Sequence, residues 1–308
     1  MVRKWKKNQF NIIKNMKTTQ NINVTIINAF VDNNTGGNPA GVVLDADNFS
    51  NDEKLIIAQK VGLSETAFVS KSNTADFKLE FFTPTKQIAH CGNATIATFS
   101  YLSQLRRIQS KNSSKETIDG NREIFIDNEV VFMEQKAPSY TATENHKQLI
   151  LKSLGLKNSD LLNNAPILFV NTGNTFAIIP VASMEILKAV EPEFDLISQI
   201  SAEYDLIGYY VFSTQTNVKD RDAGTRMFAP RYGIQEEAGT GMAAGPLASY
   251  LYDILDLKKE RYHIEQGNFM TNPSPSLIIV DISLDAGQIT KIMAGGKGIL
   301  KEQISVNI

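Results

Sequence analysis

The sequence predicts an α+β fold of two pseudo-symmetric domains, each with a mixed or antiparallel sheet wrapped around a central helix. Three observations lead to this prediction: short β-type runs recur along all 308 residues, few helices separate them, and the two halves echo each other in order. A regular alternation of strands and helices would instead indicate a parallel sheet. The length allows two ordinary domains or one large one.

The internal echo consists of four pairs of segments that occur in the same order in both halves. Each pair shares a turn, a strand pattern or a run of small residues, and the pairs are 33–44 with 170–180, 63–69 with 206–212, 81–88 with 227–234, and 92–102 with 241–251. Small residues and Phe-x-Pro turns also recur in unrelated α+β proteins. Four matches in register order nevertheless favour a duplicated domain.

Apolar and polar periodicity locates the secondary structure. The β-type runs are 22–31, 40–44, 66–70, 76–82, 122–134, 166–170, 175–180, 207–213 and 276–283. The expected helices are 51–61, 92–105, 144–154, 183–190, 194–203 and 241–254. Small residues in 92–105 and 241–254 would let strands approach closely, so we expect these two helices to be buried on all sides.

The domain boundaries follow from the duplication. We predict an N-terminal domain at 22–134, with a C-terminal strand at 299–308 as a candidate further member, and a C-terminal domain at 135–298. Residues 1–21 form a basic extension that is expected to be poorly ordered. This extension lacks the apolar core and cleavage site of a secretory signal, so a cytoplasmic location is expected.

The composition excludes several classes of function. A formal charge of −2 provides no global field for nucleic acid or an anionic membrane, and no apolar run approaches the length of a membrane span. The single cysteine excludes an intrachain disulfide and a multi-thiolate zinc or iron–sulfur site. Three histidines, at positions 90, 146 and 263, are too scattered to suggest a metal cluster. We therefore expect neither a metal nor another cofactor.

Two glycine-containing turns precede the central helices and are candidate anion cradles. These turns are "CGNAT" from Cys91 and "AGTGM" from Ala238. A helix N-terminus exposes unpaired N–H groups and a partial positive charge, so it can hold a carboxylate or a phosphate. Glycine at either turn could equally serve only the backbone geometry and close helix packing. The run "GTGMAA" fits a dinucleotide fingerprint, but the strand that should lead into it is replaced by "YGIQEEA".

Candidate acid, base and nucleophile side chains lie close to these turns. Glu65 borders an apolar strand, where burial would raise its pKa towards a range useful for proton transfer. Its local context alone favours a solvated turn instead. Glu236 and Glu237 are likewise either buried groups for proton transfer or parts of a solvated turn. Cys91 is either a small buried hydrophobe or a thiol whose pKa is lowered by the helix N-terminus.

The same segments, in this order, resemble the PhzF-like (phenazine-biosynthesis-like) family, which shares the diaminopimelate epimerase fold. The resemblance extends from about Val24 to the end of the chain. It rests on "GGNPAGVVLDAD" (36–47), "LSETAFV" (63–69), "FFTP" (81–84), "CGNATIA" (91–97), "NTGNTFAIIP" (171–180) and "RMFAPRYGIQEEAGTGMAAGPLASYL" (226–251). The two-domain fold of this family agrees with the inferred duplication, and a homodimer is expected from the family alone.

The resemblance assigns roles that the residues alone leave open. In this family the glutamate of the "SETAF" motif is the general acid/base, and it matches Glu65. The second-half motif usually reads EDPxTGSA, so its aspartate and serine match Glu237 and Met242. The phenazine enzymes carry a histidine where this chain has Asn93. These changes argue against the phenazine intermediate as the substrate.

The epimerases of this fold use one cysteine at each glycine turn. Cys91 matches the first of these cysteines, whereas the second position is Ala238. A racemase with two thiols is therefore not available to this chain. Cys91 is left as an auxiliary proton donor or as a wall of the pocket.

We therefore expect a cofactor-independent isomerase that moves a proton on a small carboxylate bound between the domains. Its expected catalytic residues are Glu65, Glu237 and Cys91, and its expected substrate-binding residues are Gly92, Asn93, Ala94, Gly239, Thr240, Gly241 and Met242. Two alternatives remain at this point. One is an epimerase that uses Glu65 and Cys91, and the other is a non-catalytic binding protein of the same fold.

Overall fold

The computed structural model describes residues 20–163 and 165–308. Most of the predicted basic extension, residues 1–19, lies outside the described residues. Asn21, which was assigned to that extension, already belongs to the first strand and pairs with Asn307. The domain boundaries stay a prediction.

The first half of the described chain contains nine strands and two helices. The strands are β1 (Asn21–Ala29), β2 (Asn38–Val43), β3 (Thr66–Ser70), β4 (Phe77–Phe82), β5 (Gln87–Ile88), β6 (Asn112–Thr117), β7 (Gly120–Asp127), β8 (Val130–Gln135) and β9 (Ser139–Ala142). The helices are α1 (Asn51–Val61) and α2 (Gly92–Gln104).

The second half of the described chain contains nine further strands and four helices. The strands are β10 (Leu168–Asn171), β11 (Thr175–Pro180), β12 (Gly208–Ser213), β13 (Ala223–Ala229), β14 (Ile234–Glu237), β15 (Arg261–Gln266), β16 (Ser276–Asp285), β17 (Gln288–Lys297) and β18 (Ile299–Asn307). The helices are α3 (Lys147–Lys152), α4 (Met184–Lys188), α5 (Phe194–Glu203) and α6 (Gly241–Asp253).

The pairing of the strands repeats between the halves. In the first half β1–β2 is antiparallel, β2–β3 parallel, β3–β4 antiparallel, β4–β6 parallel, and β6–β7 and β7–β8 antiparallel. The second half shows the same succession of antiparallel and parallel pairs, in the order β10–β11, β11–β12, β12–β13, β13–β15, β15–β16 and β16–β17. The predicted pseudo-symmetry is therefore present in the hydrogen-bonding topology.

The halves are joined through their last strands. The final strands of the two repeats, β8 and β17, pair antiparallel with each other. The strand that follows each of them joins the sheet of the other half: β9 pairs with β10 of the second half, and β18 pairs with β1 of the first. The sheet of each half is thus completed by a strand that follows the other half in the sequence.

Helices α2 and α6 lie at the centre of the two halves, as predicted. Every residue of α2 from Gly92 to Ser100 is buried, and α6 is buried from Ala243 to Tyr252. Small side chains make this possible, since alanine, glycine, serine and threonine let strands approach the helix axis. The remaining helices cover the outer faces of the sheets: α1 buries Ile57 against Phe68 and Phe82, and α3 to α5 cover Phe169 and Tyr209.

The junction of β8 and β17 requires a residue without a side chain. Gly295 pairs with Phe132, and a Cβ at Gly295 would lie 2.2 Å from the Val131 carbonyl oxygen. Gly295→Ala should therefore push the two strands apart and lower the free energy of unfolding by roughly 3 kcal/mol. Urea unfolding measures this loss. Gln288→Ala, an exposed change on the same strand, serves as the control, and equal stability of the two variants would contradict the expectation.

Candidate active site

The starts of the two central helices face each other across the boundary between the halves. A Cβ at Gly92 would lie 3.3 Å from Cγ of Met242 and 3.9 Å from the backbone nitrogen of Gly241. Neither helix start has a side-chain capping hydrogen bond. Two positive helix ends with free N–H groups therefore converge on one point, which suits a bound anion.

A cavity of about 320 Å³ opens at this point and takes its walls from both halves. Most of the predicted site residues line it, namely Glu65, Cys91, Gly92, Asn93, Glu237, Gly239, Thr240, Gly241 and Met242. Ala94 does not line it, because its side chain is fully buried in the core around α2. The other walls are largely apolar and include Ile88, Ile207, Met227 and Ile234.

Glu65 is buried immediately before β3, so the solvated turn suggested by its local context is wrong. Its side chain is 3% exposed, and its Oε2 accepts a hydrogen bond of 2.9 Å from the amide of Asn93. Burial raises the pKa of Glu65, while hydrogen bonds from Ser64 and Asn93 oppose that rise. The expected direction of the pKa shift is confirmed.

Glu237 and its neighbour Glu236 point to different surroundings, since successive side chains of a strand alternate between faces. Glu236 forms a bidentate ion pair with Arg226, in which each nitrogen–oxygen distance is 2.9 Å. Glu237 faces the cavity, where its carboxylate accepts hydrogen bonds from Asn38 (2.9 Å) and from the hydroxyl of Thr240. Burial, and then the charge of Glu65, raise the pKa of Glu237 to about 8.

Gln266 holds the second helix start in place. Its amide donates to the Glu237 carbonyl at 2.7 Å and to the Thr240 hydroxyl at 3.0 Å, and its oxygen accepts the Thr240 N–H at 3.0 Å. Tyr210 donates a further hydrogen bond of 2.9 Å to the same oxygen. Because the N–H and hydroxyl of Thr240 are already engaged, Thr240 positions the turn, and the N–H groups of Gly241 and Met242 remain to face an anion.

Cys91 occupies the N-cap position of α2, yet its thiol is not activated. The side chain is 3% exposed, and Sγ donates to Oδ1 of Asn93 at 2.7 Å. Burial, followed by the nearby charge of Glu65, raises the pKa of the thiol well above its usual value. The expectation that the helix N-terminus lowers the pKa of Cys91 is therefore wrong, because desolvation and a neighbouring carboxylate outweigh the helix.

Lys115 lies directly under the first helix start and was missed in the sequence. It is fully buried on β6, donates to the Thr95 hydroxyl at 2.7 Å, and lies 5.2 Å from the centre of the Phe81 ring. The Thr95 hydroxyl in turn donates to the carbonyl oxygen of Cys91. Burial lowers the pKa of Lys115 to about 7. Its strand, "NSSKET", carries no apolar periodicity that would have marked it.

Other polar residues of the site also escaped the sequence analysis. Asn38 and Gln266 were not singled out, although Asn38 lies inside the quoted segment "GGNPAG". His90 was noted only as a scattered histidine, but it lines the cavity, and burial lowers its pKa well below the usual value. The described residues include no group of three or more His, Cys, Asp or Glu side chains placed to hold a metal ion. In the same part of the chain, no helix is long and apolar enough to span a membrane.

The raised pKa of Glu237 predicts a dependence of stability on pH. A carboxyl whose folded pKa exceeds its ordinary value of 4.5 binds its proton more tightly in the folded state. The free energy of unfolding should therefore fall as the pH rises from about 4.5 towards about 8. The side chain of Glu237→Gln cannot titrate. The free energy of unfolding of this variant should therefore decrease less between these pH values than that of wild type, by on the order of a few kcal/mol.

Urea unfolding at pH 5, 6, 7 and 8 measures this difference. Glu144→Gln, an exposed glutamate outside the cavity, should follow the wild-type profile. Parallel profiles for wild type and Glu237→Gln would show that Glu237 ionises normally in the folded protein.

The chain is similar to known proteins over most of its length. Residues 27–303 match the family described as "Phenazine biosynthesis-like protein". The chain is 30% identical over 281 residues to the uncharacterized isomerase YfhB of Bacillus subtilis, covering 89% of this chain and 94% of the relative. It is 29% identical over 282 residues to the trans-2,3-dihydro-3-hydroxyanthranilate isomerase of Pseudomonas chlororaphis, covering 89% and 95%.

A solved structure agrees with this comparison. The phenazine biosynthesis protein of the PhzF family from Bacillus anthracis superimposes with a TM-score of 0.85 at 27% identity, over 94% of this chain and 100% of that one. The predicted fold, family resemblance and isomerase class are confirmed by these similarities. The duplicated fold, the glycine-started helices and the match over residues 27–303 show that this chain belongs to the phenazine biosynthesis-like (PhzF) family.

Proposed function

We propose that this protein is a cofactor-independent isomerase that moves a proton between carbon atoms of a small carboxylate. The observation that carries the proposal is the position of Glu65: a buried carboxyl, held by Asn93, that faces a largely apolar cavity beside two converging helix starts. The base, the anion cradle and the space for an apolar substrate body meet in one place. This combination is what carbon-to-carbon proton transfer requires.

The helix starts would hold the substrate carboxylate. The N–H groups of Gly92, Asn93, Gly241 and Met242 belong to the first turns of the two helices. Negative charge that spreads into the carboxylate when a neighbouring C–H bond breaks would be stabilised by the same N–H groups. The cradle therefore lowers the barrier as well as fixing the position of the substrate.

Glu65 would take the proton and return it at another carbon. In the forward step its carboxylate forms an O–H bond, and the C–H electron pair passes into the substrate's π system. In the return step the O–H bond breaks as a new C–H bond forms, so no redox partner is needed. The raised pKa of Glu65 brings its affinity for the proton closer to that of the substrate carbon, which favours both steps.

Glu237 would act as a neutral hydrogen-bonding partner. Two adjacent buried carboxyls cannot easily both be ionised. Because the pKa of Glu237 is raised to about 8, this group would retain its proton at neutral pH and leave the charge on Glu65. Asn38 and Thr240 hold the Glu237 side chain in the cavity wall.

The substrate would differ from that of the Pseudomonas relative. Asn93 is engaged with Glu65 and Cys91, so its amide serves the site's own residues. Met242 presents a thioether to the cavity and cannot offer a hydroxyl. We propose a small carboxylate with an apolar body. The cytoplasmic location, the homodimer and the absence of a nucleic-acid partner stay predictions.

Exchange with heavy water tests the role of Glu65. The protein is incubated in heavy water with unsaturated and hydroxylated carboxylates, including trans-2,3-dihydro-3-hydroxyanthranilate. Mass spectrometry measures the uptake of deuterium at the carbon atoms of each compound. Glu65→Gln should reduce the rate of uptake by about 10²–10⁴-fold, because it removes the acid/base group. Glu144→Gln should exchange at the wild-type rate. Equal exchange by Glu65→Gln and wild type would reject the mechanism, and tight binding without exchange by wild type would instead favour a binding protein.

Replacement of Cys91 separates this isomerase from an epimerase that uses Glu65 and Cys91. Because burial raises the pKa of the thiol, Cys91 should remain neutral and should not act as a base. Cys91→Ala is expected to keep its rate of exchange within about tenfold of wild type, since it removes only the hydrogen bond to Asn93. A loss as large as that of Glu65→Gln would support the epimerase.

A further inference from the structure

A second cavity, of about 260 Å³, adjoins the first. The two cavities share His90, Asp119, Asn174 and Met242 as lining residues. The walls of the second cavity are mainly polar, whereas those of the first are largely apolar. We call the part of the second cavity that is formed by Asn121, Arg122, Gln135, Lys136 and Thr172 the polar annex. A ligand that fills the first cavity can therefore extend past Met242 into the polar annex.

The wall of the polar annex is attached to the second helix start. Gln135 donates from Nε2 to the carbonyl oxygen of Gly241 at 2.8 Å, and its Oε1 accepts a hydrogen bond of 2.8 Å from the hydroxyl of Thr172. Gln135 also fills the space beside Gly245, where a Cβ would lie 2.0 Å from Oε1. The polar annex and the anion cradle are thus fixed relative to each other by the same side chain.

Arg122 lacks the carboxylate partner that five other arginines of the described residues have. Five arginines form ion pairs with aspartate or glutamate, and they are Arg107, Arg221, Arg226, Arg231 and Arg261. Over residues 20–163 and 165–308, two arginines form no ion pair, Arg106 and Arg122. Arg106 is exposed, whereas Arg122 is half-buried. Its hydrogen bond is to the neighbouring carbonyl of Asn121, at 2.8 Å.

The other charges around the polar annex do not neutralise Arg122. Glu134, which also lines this cavity, lies 3.6 Å from Lys291 and is engaged there. Asp119 is exposed and lies outside ion-pair distance of Arg122. Lys136, which is also exposed, adds a second cation without an ion pair in the described part of the chain. The cations of the polar annex therefore favour an incoming anion, and a half-buried guanidinium is suited to a two-pronged contact with an oxyanion.

We propose that the polar annex binds a second oxyanion of the substrate, a carboxylate or a phosphate, through Arg122. This inference rests on the proposed function, because the first carboxylate is held at the helix starts. The substrate class is then a carboxylate with an apolar middle and an anionic far end. Arg122 is a specificity-determining residue, since it contacts the end of the substrate that does not react.

Binding of small acids tests the proposal without knowledge of the natural substrate. Succinate, glutarate and adipate are each compared with the monocarboxylate of the same chain length, namely butyrate, pentanoate or hexanoate, and 3-phosphonopropionate is compared with butyrate. Calorimetric titration at constant ionic strength gives the dissociation constants. At least one dianion should bind wild type tenfold or more tightly than its monoanion. Whether succinate or the phosphonate has the larger advantage distinguishes a carboxylate from a phosphate.

The variant Arg122→Gln should abolish this advantage while leaving the affinity for the monoanions within about twofold of wild type. Arg106→Gln, which removes an exposed arginine outside both cavities, should change neither affinity. Equal binding of dianions and monoanions by wild type would overturn the role of the polar annex while leaving the anion cradle intact. Failure of every acid to bind would overturn the cradle, and with it both proposals.

Discussion

The close approach of two helix N-termini, those of α2 and α6, governs the architecture of the site. Glycine makes the approach possible on both sides: a Cβ at Gly92 would press on Met242, and one at Gly241 would lie 2.9 Å from the ring of Phe30. Two like ends of helix dipoles repel each other unless negative charge lies between them. Glu65 and Glu237 line the cavity at this junction, so the fold itself creates an environment in which buried carboxyls and a bound anion are favoured.

The polar groups at this junction need complete hydrogen bonding, since an unsatisfied buried group costs on the order of 1–3 kcal/mol. Gln266 satisfies the turn before α6, Asn38 and Thr240 satisfy Glu237, and Asn93 links Glu65 to the thiol of Cys91. Such a network holds each side chain in one orientation. It also explains why the two glutamates can have perturbed pKa values without losing their geometry.

A symmetric fold has produced an asymmetric site. The succession of parallel and antiparallel pairings is the same in both halves, and both central helices begin at a glycine. The first half nevertheless contributes the acid/base candidate Glu65 with Asn93 and the unpaired Arg122, whereas the second contributes Glu237 and the apolar Met242. A ligand between the halves would therefore meet different chemistry at its two ends, as the proposed proton transfer between two carbon atoms requires.

The duplication, the two buried helices and most residues of the cavity wall could be predicted from the sequence alone. Helices predicted at 92–105 and 241–254 are Gly92–Gln104 and Gly241–Asp253, because small residues after a glycine turn are a local signal. Only the tertiary structure separated Glu236 from Glu237, engaged Gln266 and Asn38, and reversed the expected pKa shift of Cys91. It also revealed that Lys115 is buried on β6, a strand without an apolar run, and that Arg122, in the polar first part of β7, forms no ion pair within the described residues. The reason is physical: these properties are set by burial and by partners up to 201 residues away, and neither is encoded in the local pattern of the chain.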